Sequence, residues 1–253
     1  MKTYLITTLL LLTILNNVYA QATKEIMLEN VFIIKEGYDS NDEIELTLYG
    51  SLPSPCYKVD KINITPSQNN THFSITVLMK KKRLRGCEQT IYKAPVNFSK
   101  VLSLGELPAG KYTFTYNTKG GEKTDSMIIS VAQSDSIDES LYAPISNAFI
   151  PELIYQGENA VVVLTGIFHT NCLNLNSADI EVIKKDNIFI ILPKSKLTSI
   201  QNCNDKKYPI REIVNLGSIT KKGNYLIHIR SLNGGSVNQV FQVESSDFNG
   251  SGM

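Results

Sequence analysis

Tryptophan is absent from the 253-residue chain, histidine occurs three times and cysteine four times. Charge is nearly balanced, with 25 Lys and Arg residues against 24 Asp and Glu residues. The lack of a basic excess argues against a protein dedicated to binding nucleic acid. A hydrophobic share of 42% argues against a disordered chain, and the overall composition excludes a polytopic membrane protein.

The short motifs of common enzyme classes are missing as well. The sequence contains no G-x-S-x-G nucleophile elbow, no phosphate-binding P-loop, no G-x-G-x-x-G and no H-E-x-x-H. His72, His169 and His228 do not share the spacing of metal ligands. We therefore predict no catalytic residue, no metal and no cofactor. A Ser-His-Asp set assembled from distant positions stays open, because such sets are defined by geometry and not by sequence order.

The beginning of the chain has the pattern of an export signal. Lys2 precedes the apolar run Leu5–Leu15, and Val18-Tyr19-Ala20 places small residues before a cleavage site at Gln21. This arrangement predicts a secretory signal peptide over residues 1–20. A membrane anchor is the alternative, but a spanning helix needs about 20 apolar residues, roughly twice the length of this run. We expect a secreted or periplasmic protein.

The cysteines fit export, because disulfides persist in oxidising compartments. Four cysteines allow three pairings, but Cys56 and Cys87 lie 31 positions apart, and so do Cys172 and Cys203. The equal spacing predicts two equivalent disulfides, Cys56–Cys87 and Cys172–Cys203. A zinc site is the alternative, but it is typically built from close pairs such as C-x-x-C, and the sequence has none.

The equal cysteine spacing belongs to a longer internal repeat. Short pieces recur in the same order around each cysteine pair, which predicts a tandem duplication of a domain of about 100 residues. The matching pieces are Leu48-Tyr49-Gly50 with Leu164-Thr165-Gly166, Leu104-Gly105 with Leu216-Gly217, and Gly110-Lys111-Tyr112 with Gly223-Asn224-Tyr225. We expect domains at residues 21–132 and 147–244, a polar linker at 133–146 and a flexible tail at 245–253.

Apolar and polar residues alternate with the period of two that is typical of β-strands. The alternation is clear in 73–79 and in 225–230, and turn residues separate such segments. The continuously apolar segment 188–192 predicts a strand that is buried on both faces. About seven short strands in each half predict an all-β fold of two tandem immunoglobulin-like β-sandwich domains, each with one disulfide.

The motif G-x-L-P-x-x-C at 50–56, followed by a second cysteine and by L-G-x-L-x-x-G-x-Y at 104–112, resembles a known repeat. The repeat occurs in tandem immunoglobulin-like β-sandwich proteins that are secreted by bacteria and are mostly uncharacterised. The second half departs from it at Gly166-Ile167-Phe168-His169. The resemblance implies a fold and an exported location, and it carries no catalytic residues.

One segment is strongly basic. Five of the six residues from Lys80 to Arg85 are cations, whereas the matching part of the second half has only two, so the fold itself does not require them. The candidate anion-binding residues are Lys80, Lys81, Lys82, Arg83 and Arg85. Such a segment would attract an anionic surface. The alternative is a charged sheet edge that prevents aggregation.

Two other groups are predicted to be solvated. His228 and Arg230 alternate with apolar residues on a strand, which predicts that both point towards solvent. The acidic loop of Asp39, Asp42 and Glu43 lacks the spacing of a calcium-binding loop, so we expect an ordinary solvated turn.

These observations favour an exported, non-catalytic binding or adhesion-type protein. Its partner would be an extracellular or envelope protein or a glycan, and sequence differences between the halves favour the first half as the contact surface. A secreted protease inhibitor is the alternative, with the loop 51–57 as its inhibitory segment. A secreted hydrolase is a further alternative.

Overall fold

The computed structural model describes residues 23–83, 87, 94–136, 138, 140–198 and 202–246. We call residues 23–136 the first half and residues 140–246 the second half. The predicted signal peptide, Arg85 and most of the predicted tail lie outside the described residues.

Both halves are built almost entirely of β-strands. The strands of the first half are β1 (Lys24–Glu25), β2 (Leu28–Phe32), β3 (Tyr38–Asp39), β4 (Ile44–Leu52), β5 (Tyr57–Pro66), β6 (His72–Lys81), β7 (Val96–Gly105), β8 (Gly110–Thr118) and β9 (Gly121–Ser130). Those of the second half are β10 (Ile145–Phe149), β11 (Leu153–Tyr155), β12 (Asn159–Phe168), β13 (Leu173–Asn174), β14 (Ile180–Lys185), β15 (Ile188–Pro193), β16 (Lys196–Leu197), β17 (Tyr208–Ser218), β18 (Gly223–Arg230) and β19 (Ser236–Glu244).

Each half is a sandwich of two β-layers whose main strands follow the same order, although a single pair between β2 and β8 joins the two layers of the first half into one sheet. In the first half, β2, β4 and β7 form a three-stranded layer, and β5, β6, β8, β9 and β3 form a five-stranded layer. In the second half, the corresponding layers are β10-β12-β17 and β14-β15-β18-β19-β11. Parallel and antiparallel pairs alternate in the same order in both five-stranded layers. The internal repeat of the sequence is therefore a repeat of structure.

The repeat extends to individual residues. Tyr112 donates a hydrogen bond from its hydroxyl to the carbonyl of Pro108, and Tyr225 does the same to the carbonyl of Lys221, each at 2.8 Å. Such a bond at the start of this strand is the tyrosine corner found in immunoglobulin-like sandwiches. Gly105 has a φ of 72°, in the left-handed region that favours glycine, and its counterpart also has a positive φ.

The two predicted disulfides are confirmed, one in each half. Cys56 is bonded to Cys87, and Cys172 is bonded to Cys203, with a Cα–Cα distance of 5.4 Å in both pairs. In the first half, the disulfide joins the connection after β4 to the chain beyond β6. In the second half, it joins the connection after β12 to the chain beyond β16. Closing a loop of about 32 residues stabilises a domain by roughly 3–4 kcal/mol on the chain-entropy model.

The two sandwiches stack on each other. Ile188, Leu226 and Val240, on the outer face of the second half's five-stranded layer, join the apolar cluster of the first half. Phe189 and Ile191 point the other way, into the second half's own core. Strand β15 is thus covered on both faces, as its continuous apolar sequence predicts. The layers follow one another in the order five, three, five and three strands.

The connection between the halves is held in place. Strand β10 begins at Ile145, inside the predicted linker 133–146, and Ala143 is fully buried. Asn41 of the first half donates hydrogen bonds to the carbonyls of Ser134 and Ser136 at 3.0 and 2.9 Å. Hydrogen bonds from Asn41 therefore hold the backbone at the beginning of this segment.

The two tyrosine corners predict matched losses of stability. Tyr112→Phe and Tyr225→Phe each remove one hydroxyl that bonds a backbone carbonyl, so each should lower the free energy of unfolding by about 1–2 kcal/mol. Urea unfolding measures this loss. Tyr208→Phe is the control, because its hydroxyl bonds the exposed Asn204 and should contribute less than about 0.5 kcal/mol. Losses at Tyr112 and Tyr225 no larger than the control would show that the corners are not structural.

Candidate functional site

A charged network joins the two halves at the end of β18. The Nη2 atom of Arg230 lies 2.6 Å from Oδ1 of Asp42 in the first half and 3.0 Å from Oδ1 of Asp138 in the connecting segment. These side chains are only 13, 5 and 11% exposed, respectively. Burial works against the charge of Arg230, but its two ion pairs outweigh burial and raise the pKa of the guanidinium. Removing one partner from such a network is strongly destabilising.

The prediction that His228 and Asp42 are solvated is wrong. His228 is 3% exposed and Asp42 is 4% exposed. The alternation in β18 does place His228 on the outer face of its sheet, but the first half covers that face. Period-two alternation identifies the face of a strand and not what packs against it.

His228 begins a chain of hydrogen bonds that crosses the interface. Its Nδ1 atom donates to Oδ1 of Asn238 at 2.8 Å, and Nδ2 of Asn238 donates to Oε2 of Glu45 in the first half at 2.9 Å. The hydroxyl of Ser236 bonds the same Glu45 oxygen. The ring of Tyr38 lies edge-on to His228, with the ring centroids 6.4 Å apart. Burial lowers the pKa of His228, so the imidazole is neutral at pH 7.

Beside this network lies a cavity of about 320 Å³ between the halves, lined by residues of both. Its polar wall includes Tyr38, Asp42, Tyr142, His228 and Arg230. The buried hydroxyl of Tyr38 has no hydrogen-bond partner among the described residues. The guanidinium in the wall is already bound by two carboxylates, so the cavity does not offer an uncompensated positive charge to an anionic ligand. No group of three or more His, Cys, Asp and Glu side chains in the described part of the chain could hold a metal ion.

The basic segment starts at the end of β6, a strand that pairs with β5 on one side and with β1 and β8 on the other. Lys80 forms an ion pair with Asp60 on β5, and the amide of Lys82 donates to the carbonyl of Cys56 at 2.6 Å. Lys81 and Arg83 are exposed. The disulfide therefore fixes the beginning of the segment, and the charge of Lys80 is partly neutralised.

The loop suggested as an inhibitory segment alternates between covered and exposed residues. Leu52, Ser54 and Cys56 are 7, 6 and 6% exposed, respectively, whereas Pro53 and Pro55 between them are exposed.

An apolar row crosses the outer layer of the second half. Phe149 on β10, Val163 on β12 and Ile213 on β17 are directly opposite one another in the strand register. Phe149 is 60% exposed and Ile213 is 63% exposed, whereas Val163 is half-buried. Val161 and Ile167 extend the row along β12 on the same face and are also exposed. We call these five residues the outer row.

Part of the outer row has a covered counterpart in the first half, whereas Val101, which corresponds to Ile213, is 45% exposed. By strand register, Phe149 corresponds to Phe32 and Val163 corresponds to Thr47, and these counterparts are both 2% exposed because the second half packs over them. Sequence reasoning missed the outer row. Its signal was the apolar segment 160–164, which has hydrophobic residues on both faces of one strand.

The pH dependence of folding should reveal His228. The unfolded chain protonates this histidine near pH 6.5, whereas the folded interface disfavours the charged form, so stability should fall as pH drops below about 6.5. The slope contributed by one such proton reaches at most about 1.4 kcal/mol per pH unit. Urea unfolding between pH 7.5 and 5.5 should show a weaker pH dependence for His228→Gln, while His169→Gln, at an exposed site, keeps the wild-type slope. Glu45, Asp42 and Arg230 are the charged groups that face His228, and they are unchanged in both variants. An unchanged slope in His228→Gln would contradict the prediction.

Comparison with known proteins agrees with the fold. A family model described as the ORF11 beta-sandwich domain matches residues 46–126, most of the first half. No curated protein matches the chain significantly. In the described residues, no helix has the length and apolar character needed to cross a membrane. The two disulfides indicate an oxidising compartment. The first half is thus similar to a β-sandwich family, and the chain as a whole is an all-β protein of two disulfide-bonded halves.

Proposed function

We propose that this chain is an exported, non-catalytic binding protein that contacts another protein through the outer row. The observation that carries the proposal is the exposure of Phe149 and Ile213 at the two ends of a continuous apolar row. Single exposed apolar residues are common on folded proteins and need no explanation. A contiguous group of them, in contrast, marks an interaction site. The outer row consists of aromatic and aliphatic side chains and has no cluster of charged residues beside it among the described residues. This composition is typical of the buried centre of a protein interface, and it favours a protein partner over a glycan.

Export rests on three features that point the same way. They are the predicted signal peptide over 1–20, the two disulfides and the resemblance to a repeat of secreted bacterial sandwiches. Together they favour a secreted or periplasmic location, where the partner would be an extracellular or envelope protein.

The geometry around the histidines favours a binding protein over a hydrolase. In a Ser-His-Asp set, the histidine donates its Nδ1 proton to a carboxylate. Here Nδ1 of His228 bonds the amide oxygen of Asn238, and Nδ1 of His72 lies 2.7 Å from the hydroxyl of Thr113 on an open sheet face. In neither arrangement does a carboxylate hold Nδ1, as it would for the general base of such a set.

Site-specific photocrosslinking tests the outer row. A photoreactive phenylalanine analogue in place of Ile213 should crosslink to a protein in the native envelope or medium, because this position would lie within the interface. The same analogue in place of Ile128, which is 49% exposed on β9 in the first half, is the matched control. Protein adducts at position 213 that are absent at 128 support the proposal. Equal labelling at the two positions, or none at 213, contradicts it.

The basic segment supports a second contact, with an anionic surface. The disulfide and the bond from Lys82 to Cys56 hold the beginning of the segment at the end of β6, so its charge is concentrated there. Anionic lipid, polysaccharide or protein would be attracted by such a concentration of cations.

Retention on heparin tests this contact. Replacing Lys81, Lys82, Arg83 and Arg85 with Ser should abolish retention that wild type shows at low salt, and wild-type retention should fall as salt rises, because ions screen exposed charges. Replacing Lys206, Lys207, Lys221 and Lys222 with Ser changes the net charge equally and is the control. Loss of retention in both variants would show a general charge effect. Unchanged retention in the first variant would contradict the proposed contact and favour the alternative, a charged sheet edge that prevents aggregation.

A further inference from the structure

The stacking of the two halves shows what covers a three-stranded layer in this fold. The outer face of β2-β4-β7 is covered by the five-stranded layer of the second half. Its central residue, Thr47, lies under that layer, and the apolar covering residues include Leu226 and Val240. The equivalent face of β10-β12-β17 carries Val163 where the first half has Thr47, and Val161 where it has Glu45. The exposed face is therefore the more apolar of the two.

A head-to-tail stack of two copies would not cover this face well. In such a stack, the five-stranded layer of one copy's first half would lie on the outer row of the other copy. At the positions that correspond to Leu226 and Val240, that layer has Thr113 and Ser126. A stack of this kind would bury hydroxyls against Phe149, which is unfavourable without hydrogen-bond partners.

The outer row is self-complementary. A two-fold axis parallel to the strands would place Phe149 opposite the partner copy's Ile213, and Val163 opposite the other Val163. Arg211, the cation on this face, lies level with Asn147 across the sheet, so the axis would set Arg211 against that asparagine and not against a second arginine. An axis along the row would set Arg211 against Asn215 instead. Neither arrangement brings like charges together.

We propose that the occupant of the outer row is a second copy of this chain, packed face to face through β10-β12-β17 in a two-fold symmetric dimer. The proposal rests on the proposed function of the row as a protein-binding surface and names its partner. Isologous two-fold dimers are the commonest closed assemblies of identical chains. Within the chain, the equivalent layer β2-β4-β7 is already covered by another β-sheet.

The dimer has a consequence for binding. The outer row lies on the last layer of the second half, on the side away from the first half. A dimer through this layer therefore places the two first halves at opposite ends, each with its own basic segment. Two linked basic segments would gain avidity for a partner that spans both ends of the dimer.

Sedimentation equilibrium of the purified full chain tests the dimer. Wild type should show a reversible monomer–dimer equilibrium over about 1 to 100 µM, where mass action makes the dimer fraction rise with concentration. Phe149→Lys and Ile213→Lys should each weaken dimerisation roughly tenfold or more, because every substitution occurs twice in the interface and buries an unpaired charge. Both positions are exposed, so the monomer should fold normally by circular dichroism. Ile128→Lys is the control and should dimerise like wild type.

A cysteine variant tests directly whether the two outer rows face each other in the dimer. Val163→Cys lies close to the two-fold axis in both possible orientations, so a short bismaleimide should join two copies of this variant far more efficiently than two copies of Ile128→Cys. A wild-type monomer at all concentrations, or a dimer unaffected by the lysine variants, would overturn the second-copy proposal. Photocrosslinking at position 213 then decides the proposed function separately, since an adduct with a different protein keeps the row as a binding surface and assigns it another partner.

Discussion

The interaction on which the arrangement depends is the shared ion pair of Arg230 with Asp42 and Asp138. It joins the last residue of β18 to the first half and to the connecting segment at the same point. Buried charges are costly to desolvate, so a network like this is weak evidence for high stability, but a slip of one half against the other would leave a buried charge unpaired. The apolar contacts of Ile188, Leu226 and Val240 supply the non-directional part of the same interface.

That interface gives two equivalent sandwiches different surfaces. The five-stranded layer is apolar on its outer face in the second half, where it covers the first half, and rich in hydroxyls in the first half, where it meets solvent. In the three-stranded layers the relation is reversed. The layer of the second half meets solvent and carries the apolar residues Phe149, Val163 and Ile213 on its outer face. An apolar face that the fold does not cover is the reason to assign binding to the second half, whereas the sequence differences alone favoured the first.

The sequence was informative wherever a property is local. The spacing of the cysteines predicts both disulfides, and the alternation of side chains together with the continuous apolar segment 188–192 predicts strands and their buried faces. The recurrence of Gly-x-Tyr at 110–112 and 223–225 corresponds to the two tyrosine corners. The immunoglobulin-like β-sandwich fold follows from these features because turn chemistry, period and disulfides all agree.

The sequence failed where a property depends on what packs against a face. His228 and Arg230 alternate as residues on a solvated face would, and nothing within the strand indicates that the first half covers them. Asp42 belongs to a loop of ordinary turn composition, and the local sequence does not indicate that Arg230 reaches it across the interface. The outer row was missed for the same reason, since an exposed apolar face and a buried one have the same local pattern.

The central claim is that equivalent faces of the two sandwiches are covered differently, one within the chain and the other by a partner. Hydroxyl-radical footprinting with mass spectrometry tests it on two matched residues, Phe32 and Phe149, which occupy corresponding positions and have the same intrinsic reactivity. The account predicts that Phe32 is protected at every protein concentration, while Phe149 is oxidised in dilute solution and becomes protected as concentration rises. Equal oxidation of the two residues in dilute solution, or oxidation of Phe149 that does not change with concentration, would contradict it.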